Sequence, residues 1–170
     1  IINSKQFYDY IADNKEIIKK GDKAALAEIT EKCCAIKADI VNKDEKEGGL
    51  REILNFGHTI GHAVESLKGF ELLHGECVAI GMVAAMKISC DKGMVTDGEF
   101  FDLEGLLEYF DLPVRVKGLN EDDIYKALFS DKKVRNSIIS FVLADGIGNA
   151  LRTKSLTEDE LRSGIRYILE

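Results

Sequence analysis

A single proline, Pro113, interrupts the 170 residues of this chain, and most long stretches repeat apolar residues at steps of three and four. That spacing places the apolar side chains on one face of an α-helix, and few backbone donors are lost to proline. We therefore predict a mainly α-helical fold. The predicted helices span residues 7–20, 24–42, 50–67, 74–92, 98–110, 122–129 and 158–169.

Near the C-terminus the pattern changes to that of a small antiparallel β-ribbon. Two short β-rich runs, residues 138–143 and 150–153, flank Asp145-Gly146-Ile147-Gly148-Asn149, which suits a turn. The sequence contains no repeat, low-complexity stretch or flexible linker. We expect one compact domain over residues 1–170.

Composition and charge narrow the possible partners. The chain is 45% hydrophobic and 31% charged, as globular domains are, and its length suffices for one solid core. A net charge of -7, without a basic run interleaved with aromatics, argues against a nucleic-acid partner. No stretch approaches the roughly 20 apolar residues of a membrane span, so a membrane partner is not expected either.

The cysteines indicate a reducing compartment. They form neither a Cys-x-x-Cys pair nor an evident disulfide framework, which predicts buried, reduced thiols in a cytoplasmic protein. The four are Cys33, Cys34, Cys77 and Cys90. Cys77 lies near the histidines, but nothing in the sequence indicates that its thiol pKa is lowered.

All three histidines lie within residues 58–74, and two of them share a predicted helix face with other polar groups. At about 100° per residue, a sector of roughly 80° holds five such side chains. They are Arg51, Asn55, His58, His62 and Glu65. Apolar residues occupy much of the remaining helix surface, so this polar face should border an internal cavity and form a functional site. The simpler alternative is a kinked core helix with two hydrogen-bonded histidines.

Gly57 and Gly61 lie beside that face, four residues apart. Each costs a helix roughly 1 kcal/mol relative to alanine. Their presence predicts that another backbone or a ligand approaches the helix closely.

His74 is predicted to begin the next helix, from which its imidazole can point back toward the first. Imidazoles from two elements are natural zinc ligands, but a catalytic zinc usually has three protein ligands and an open position. Two histidines leave that set one ligand short. The residues between His58 and His62 are Thr, Ile and Gly, so a His-Glu-x-x-His metalloprotease motif is not present.

Two charged segments are ambiguous when taken alone. Lys37 lies beside the apolar stripe of the helix at 24–42, and its ammonium could equally extend to water or project into a cleft. Asp131-Lys132-Lys133 by itself would be a solvated charge cluster.

Together these segments resemble the 3-dehydroquinate synthase family, whose members catalyse the second step of the shikimate pathway. The match extends over nearly the whole chain in the family's order. The matching residues are Lys37, Asp44-Glu45-Lys46-Glu47-Gly48-Gly49-Leu50-Arg51, Leu54-Asn55-Phe56-Gly57-His58-Thr59-Ile60-Gly61-His62-Ala63-Val64-Glu65, Leu73-His74-Gly75-Glu76, Val78-Ala79-Ile80-Gly81-Met82 and Asp131-Lys132-Lys133.

The resemblance implies a multi-helix C-terminal domain that forms one wall of an active site between two domains. The NAD-binding α/β domain of the family is not expected in this chain, which has no glycine-rich dinucleotide turn. The family's third zinc ligand is a glutamate upstream of the residues matched here. The complete enzyme is expected to be a homodimer that uses NAD and zinc, or cobalt in place of zinc.

The metal ligands follow from the resemblance by position. His58 and His74 correspond to the two zinc-binding imidazoles, while Glu65 and Glu76 are expected to support the site or the fold. With two imidazoles and no glutamate, the isolated chain is expected to retain little zinc.

The residues that bind the substrate carboxylate are assigned in the same way, from the resemblance. Lys37 and Arg51 correspond to the cations that hold it, and the planar donors of a guanidinium suit that task. One further substrate-contacting lysine corresponds to Lys132 or Lys133, and the sequence does not decide between them.

The substrate phosphate is expected to meet Asn55 and His62. Glu47 is expected to stand behind His62 as part of a proton relay, so these two residues are the candidate catalytic pair.

The implied reaction converts 3-deoxy-D-arabino-heptulosonate 7-phosphate into 3-dehydroquinate and phosphate. NAD transiently oxidises the C5 hydroxyl, which acidifies the neighbouring proton so that phosphate is eliminated. Reduction, ring opening and an intramolecular aldol step follow. Zinc fits as a Lewis acid that lowers the pKa of a bound hydroxyl, and the protein residues mainly bind and position.

Two alternatives stay open. Another sugar-phosphate cyclase, such as a 2-deoxy-scyllo-inosose synthase, shares the scaffold but needs no carboxylate clamp, so Lys37 and Arg51 favour the dehydroquinate synthase. The chain could also be a non-catalytic association module.

Overall fold

The structure is a computed structural model, and it describes residues 1–46, 48–69, 71–129 and 139–170. Its helices are α1 (Lys5–Asp13), α2 (Lys15–Lys19), α3 (Lys23–Lys43), α4 (His58–Leu67), α5 (His74–Asp91), α6 (Asp97–Tyr109), α7 (Glu121–Ala127) and α8 (Glu158–Tyr167), with a 3₁₀ helix at Leu50–Asn55. Within these ranges, no helix combines the length and apolar character that a bilayer span requires.

A two-stranded antiparallel ribbon completes the fold. Strands β1 (Phe141–Ala144) and β2 (Ala150–Thr153) pair so that Phe141 faces Thr153 and Ala144 faces Ala150. The predicted fold class, mainly helical with one small ribbon, is confirmed. The predicted first strand began at Ile138, which lies outside the described residues.

Helix α5 forms the centre of the fold, and α4, α6, α8 and β1 pack around it. Its small and aliphatic residues let neighbours approach on several sides. Those that are buried are Cys77, Ala79, Ile80, Gly81, Val83, Ala84, Ala85, Met86, Ile88 and Ser89. The Ser89 hydroxyl donates to the Ala85 carbonyl at 2.9 Å and accepts from the Ala144 amide at 3.0 Å, which joins α5 to the ribbon.

Glycines bring the backbones of α4 and α5 into direct contact. A Cβ atom on Gly81 would lie 1.9 Å from the Gly57 carbonyl oxygen, and one on Gly61 would lie 2.8 Å from the Cys77 carbonyl oxygen. The prediction that another backbone approaches Gly57 and Gly61 is therefore confirmed.

The single helix predicted over residues 50–67 is wrong. The chain forms a 3₁₀ helix, breaks at Phe56 and Gly57, and starts α4 at His58. Gly57 has a φ of +80°, in the left-handed region, and a Cβ there would lie 2.6 Å from Met82 Cγ. Close packing on α5 thus holds a backbone conformation that only glycine adopts readily. Arg51 and Asn55 consequently belong to a different element from His58.

The helix predicted over residues 7–20 is also divided. Asn14 separates α1 from α2, and its side-chain amide donates to the Tyr10 carbonyl at 2.8 Å. Such local side-chain bonds compete with the helical backbone pattern. The remaining predicted helices match the structure to within two residues at each end.

The expectation of buried thiols holds for Cys77 and is wrong for Cys33 and Cys34, which are exposed on α3. Only Ala25 and Ile40 are buried along that 21-residue helix. Helix α3 packs on α2 and the 3₁₀ helix, and along its apolar stripe Leu26 and Cys33 are exposed while Ile29 and Ile36 are partly buried.

Replacing Gly81 by alanine should destabilise the chain strongly, because the added methyl group would overlap the Gly57 carbonyl. Overpacking of this kind costs about 1–3 kcal/mol or more. Gly105→Ala, on α6, is the matched control, since nothing lies within 4 Å of its added Cβ. Thermal unfolding should show a lower Tm for Gly81→Ala and an unchanged or higher Tm for Gly105→Ala. Equal Tm values would contradict the close contact.

Candidate metal centre

Three imidazoles converge where α4 meets α5. The ring centroids are 5.4 Å apart for His58 and His62, 5.5 Å for His58 and His74, and 5.6 Å for His62 and His74. One ring nitrogen from each lies within 4.8 Å of the other two. The structure therefore brings together the two predicted metal ligands and a third histidine.

Local structure explains this convergence. His58 is the first residue of α4, and His62 follows one turn later on the same face. His74 is the first residue of α5, which packs against α4 through the glycine contacts. The expectation that His74 points back toward the preceding helix is confirmed by the ring distances.

Neighbouring groups orient two of the rings. His58 Nδ1 lies 3.2 Å from the Phe56 carbonyl oxygen, and His74 Nδ1 lies 3.3 Å from Glu65 Oε2. A proton on each Nδ1 would leave Nε2 as the metal-binding atom, the arrangement usual in metal sites. Glu65, whose side chain is only 18% exposed, thus lies against the ring of His74.

Glu76 acts on the backbone instead. Its Oε2 accepts from the Leu73 amide at 2.7 Å, at the start of α5. An acceptor there satisfies a donor that the helix leaves unpaired. Glu76 therefore holds the first turn of α5, on which His74 is carried.

Asp44 organises the loop before the 3₁₀ helix. Its Oδ1 accepts from the Gly48 amide at 2.5 Å, and its Oδ2 accepts from the Gly49 and Arg51 amides at 2.9 Å each. The backbone donors of Arg51 and then Gly48 hold the pKa of Asp44 below its ordinary value. The carboxylate thus determines where the backbone of Arg51 lies.

Glu52 ties the 3₁₀ helix to the ribbon. It forms an ion pair with Arg152 on β2 and accepts from the Ser140 hydroxyl at 2.5 Å. The Thr59 hydroxyl on α4 donates to the Ser140 carbonyl at 3.4 Å. The ribbon is thereby attached to the 3₁₀ helix and to α4, two of the elements that carry candidate site residues.

The predicted carboxylate-binding residues and Asn55 lie on the two elements that precede α4 in the chain. Arg51 and Asn55 are on the 3₁₀ helix, with Asn55 exposed at its last position. Lys37 is exposed on α3, which packs on that helix, and it borders an apolar cavity of about 460 Å³ with Leu54 and Met82.

Three predicted site residues cannot be placed. Glu47, Lys132 and Lys133 lie outside the described residues.

The sequence predicted His62 beside His58 on one helix face and assigned it to the substrate phosphate and the proton relay, but it did not place His62 among the metal ligands. The signal was its spacing of four from His58, which puts two imidazoles on one helix face. Cys77 shows no sign of nucleophilic character, since burial and the negative charge of Glu65 raise the pKa of its thiol.

Solved structures of related shape define the class of fold. The structure of ValA, a 2-epi-5-epi-valiolone synthase from Streptomyces hygroscopicus subsp. jinggangensis 5008 with NAD+ and Zn2+ bound, has a TM-score of 0.86 and 22% identity over 98% of this chain and 47% of that chain. A 2-deoxy-scyllo-inosose synthase complexed with carbaglucose-6-phosphate, NAD+ and Co2+ has a TM-score of 0.69 and 27% identity over 81% of this chain and 40% of that chain. The fold is thus that of a domain of the sugar-phosphate cyclases.

Sequence comparison identifies the family within that class. The profile described as 3-dehydroquinate synthase C-terminal matches residues 1–134. The 3-dehydroquinate synthase of Acetivibrio thermocellus is 47% identical over 171 residues, which cover 100% of this chain and 48% of that protein. The chain belongs to the 3-dehydroquinate synthase family, and it spans about half the length of this relative.

Asp44→Asn should loosen the loop that leads into the 3₁₀ helix. An amide nitrogen would replace Oδ2 and could not accept from Gly49 and Arg51. Hydrogen exchange at these two amides should accelerate several-fold. Asp39→Asn is the control: it removes an exposed partner of Lys43 on α3 and should leave the exchange rates of these two amides unchanged.

The same contact should depend on pH. Because the folded-state pKa of Asp44 is lowered, its stabilisation is present above the ordinary pKa and is lost as the pH falls through the lowered value. Slow exchange at both amides in Asp44→Asn would show that this carboxylate does not hold the loop.

Proposed function

We propose that this chain is the metal-binding and substrate-binding half of a 3-dehydroquinate synthase, which converts 3-deoxy-D-arabino-heptulosonate 7-phosphate into 3-dehydroquinate and phosphate. The observation that carries the proposal is the convergence of His58 and His74 in a chain that is 47% identical to a 3-dehydroquinate synthase. The other half of the active site would belong to the part of the relatives that this chain does not match.

His58 and His74 would hold a zinc ion, with cobalt as an alternative. Imidazole nitrogens suit both metals, and the carbonyl of Phe56 and the carboxylate of Glu65 would keep each ring in a productive tautomer. The bound metal would supply Lewis acidity toward a substrate hydroxyl, and NAD would supply the transient oxidation. The cyclase structures that contain NAD+ with Zn2+ or Co2+ support this choice.

Arg51 and Lys37 would bind the substrate carboxylate. A guanidinium offers two parallel donors to a carboxylate, and the Arg51 backbone is held by Asp44 at 2.9 Å. Lys37 would add a second positive charge from α3, the neighbouring element. These two cations would orient the substrate rather than transfer its protons.

Asn55 and His62 would meet the substrate phosphate. The amide of Asn55 and a ring nitrogen of His62 can each donate a hydrogen bond to a phosphate oxygen. Glu47 would complete a proton relay behind His62, and Lys132 or Lys133 would contact the substrate from the segment before the ribbon. This part of the proposal depends on residues outside the described ranges.

The wider setting follows the family resemblance. We propose a cytoplasmic enzyme that acts as a homodimer when complete, on a small phosphorylated sugar acid, without nucleic-acid or membrane partners. The 2-deoxy-scyllo-inosose synthase activity is the alternative supported by a solved structure, at 27% identity. A non-catalytic association role is the other alternative.

The isolated chain should release no phosphate from the heptulosonate phosphate. Joined to the N-terminal half of the Acetivibrio thermocellus relative, with NAD and zinc added, it should turn over. His58→Ala and His74→Ala should each lower kcat/KM in that joined enzyme by more than about 100-fold, since loss of an outer metal partner alone costs up to that much. Lys117→Ala, which changes a side chain that is 81% exposed, is the control and should leave kcat/KM unchanged.

Phosphate release by the isolated chain would show that it needs no second half. Full turnover by both histidine variants would overturn the metal assignment.

The carboxylate clamp makes a separate prediction about specificity. In the joined enzyme, Arg51→Ala should lower kcat/KM for the heptulosonate phosphate by about 10-fold to 100-fold, as expected for one hydrogen bond to a charged group. For an analogue with a hydroxymethyl group in place of the carboxylate, the same substitution should lower kcat/KM far less. The kcat/KM of Arg51→Lys for the heptulosonate phosphate should lie between those of the wild type and Arg51→Ala. If Arg51→Ala lowered kcat/KM equally for both substrates, Arg51 would not bind the carboxylate, and another cyclase activity would be favoured.

A further inference from the structure

We infer that His62 completes a three-histidine site for a divalent transition metal in this chain. The site consists of His58, His62 and His74, and it needs no ligand from another domain. The inference extends the proposed function, because it concerns the same metal, but it changes the expected ligand set. From the sequence alone, two imidazole ligands and little retained zinc are expected.

The spacing of the rings is the first support. A zinc–nitrogen bond of about 2.0–2.1 Å places the imidazole centre about 3.2 Å from the metal, so tetrahedral ligands have centres about 5.2 Å apart. The observed separations are 5.4, 5.5 and 5.6 Å. The three rings therefore form a nearly equilateral triangle that is only slightly wider than a closed site.

The nitrogen atoms agree with the same arrangement. Tetrahedral zinc brings its ligand nitrogens about 3.3 Å from one another. One nitrogen of each ring already lies within 4.8 Å of the other two. The nitrogens would have to approach one another by at most about 1.5 Å, a shift that rotation of the side chains can supply.

The neighbours of the rings favour metal binding over simple packing. The Nδ1 atoms of His58 and His74 face oxygen atoms of Phe56 and Glu65, so both rings can present Nε2 to a common point. Three neutral imidazoles suit Zn2+ or Co2+ and suit Mg2+ or Ca2+ poorly. Three protein ligands would leave the fourth position open, as in catalytic zinc sites.

The two assignments of His62 apply to different assemblies. In the complete enzyme, the glutamate of the other half would supply the third ligand, and His62 would meet the substrate phosphate. In this chain, His62 would take the position of that ligand.

Cobalt titration of the purified 170-residue chain tests the inference. Wild-type protein should bind one Co2+ per chain and develop the strong visible absorption of a tetrahedral site, and zinc should displace the cobalt. His62→Ala should weaken binding by about 10-fold or more and replace the strong absorption by the weak bands of six-coordinate cobalt. His58→Ala and His74→Ala should behave in the same way.

Ser66→Ala, at an exposed position of α4 outside the triangle, is the matched control and should bind cobalt as the wild type does. Circular dichroism without metal checks that each variant is folded. If His62→Ala does not fold, His62→Gln replaces it and is judged by the same two measurements.

Wild-type affinity and absorption in the His62 variant would overturn the inference, as would a wild-type chain that binds no cobalt. Neither result bears on turnover by the joined enzyme, in which the glutamate is present. Conversely, a joined enzyme without activity would contradict the proposed function. A tetrahedral cobalt spectrum of the isolated chain would still support the three-histidine site in that case.

Discussion

Backbone contact between α4 and α5 is the constraint on which the site depends. Glycine at positions 57, 61 and 81 removes the Cβ atoms that would hold the two helices apart, and the added methyl group at Gly81 would lie 1.9 Å from a carbonyl oxygen. This short separation brings the start of α5 beside the first turns of α4. The imidazoles of His58, His62 and His74 converge for that reason, since each lies at or near a helix start on the contacting side.

Carboxylates then attach the remaining candidate elements to this pair of helices. Asp44 gathers backbone amides where α3 gives way to the 3₁₀ helix, and Glu52 joins that helix to the ribbon through Ser140 and Arg152. Each carboxylate accepts from several donors, which is how a loop without a large core of its own is held in one place. The 3₁₀ helix, which carries Arg51 and Asn55, is thereby tied to the end of α3 and to the ribbon.

Several features could be predicted because they depend on local pattern. Helical spacing located α3, α5 and α6, and the two β-rich runs located the ribbon. The tolerance of Gly57 and Gly61 indicated a close neighbour. The break before His58 could not be predicted in the same way, because a periodic sequence that contains two glycines is compatible with either a continuous helix or two helices. Packing against Met82 selects the left-handed backbone at Gly57.

By itself, the sequence determined the family, the helical class and the residues from which a metal site can be built, since side-chain chemistry and spacing are written in the chain. Only the tertiary structure decided that three imidazoles, rather than two, lie side by side where α4 meets α5. It also separated Arg51 and Asn55 from the helix of His58 and left Cys33 and Cys34 on an exposed face. These outcomes depend on how closely two helices pack and on which faces find a neighbour, and such distances arise only when distant segments meet.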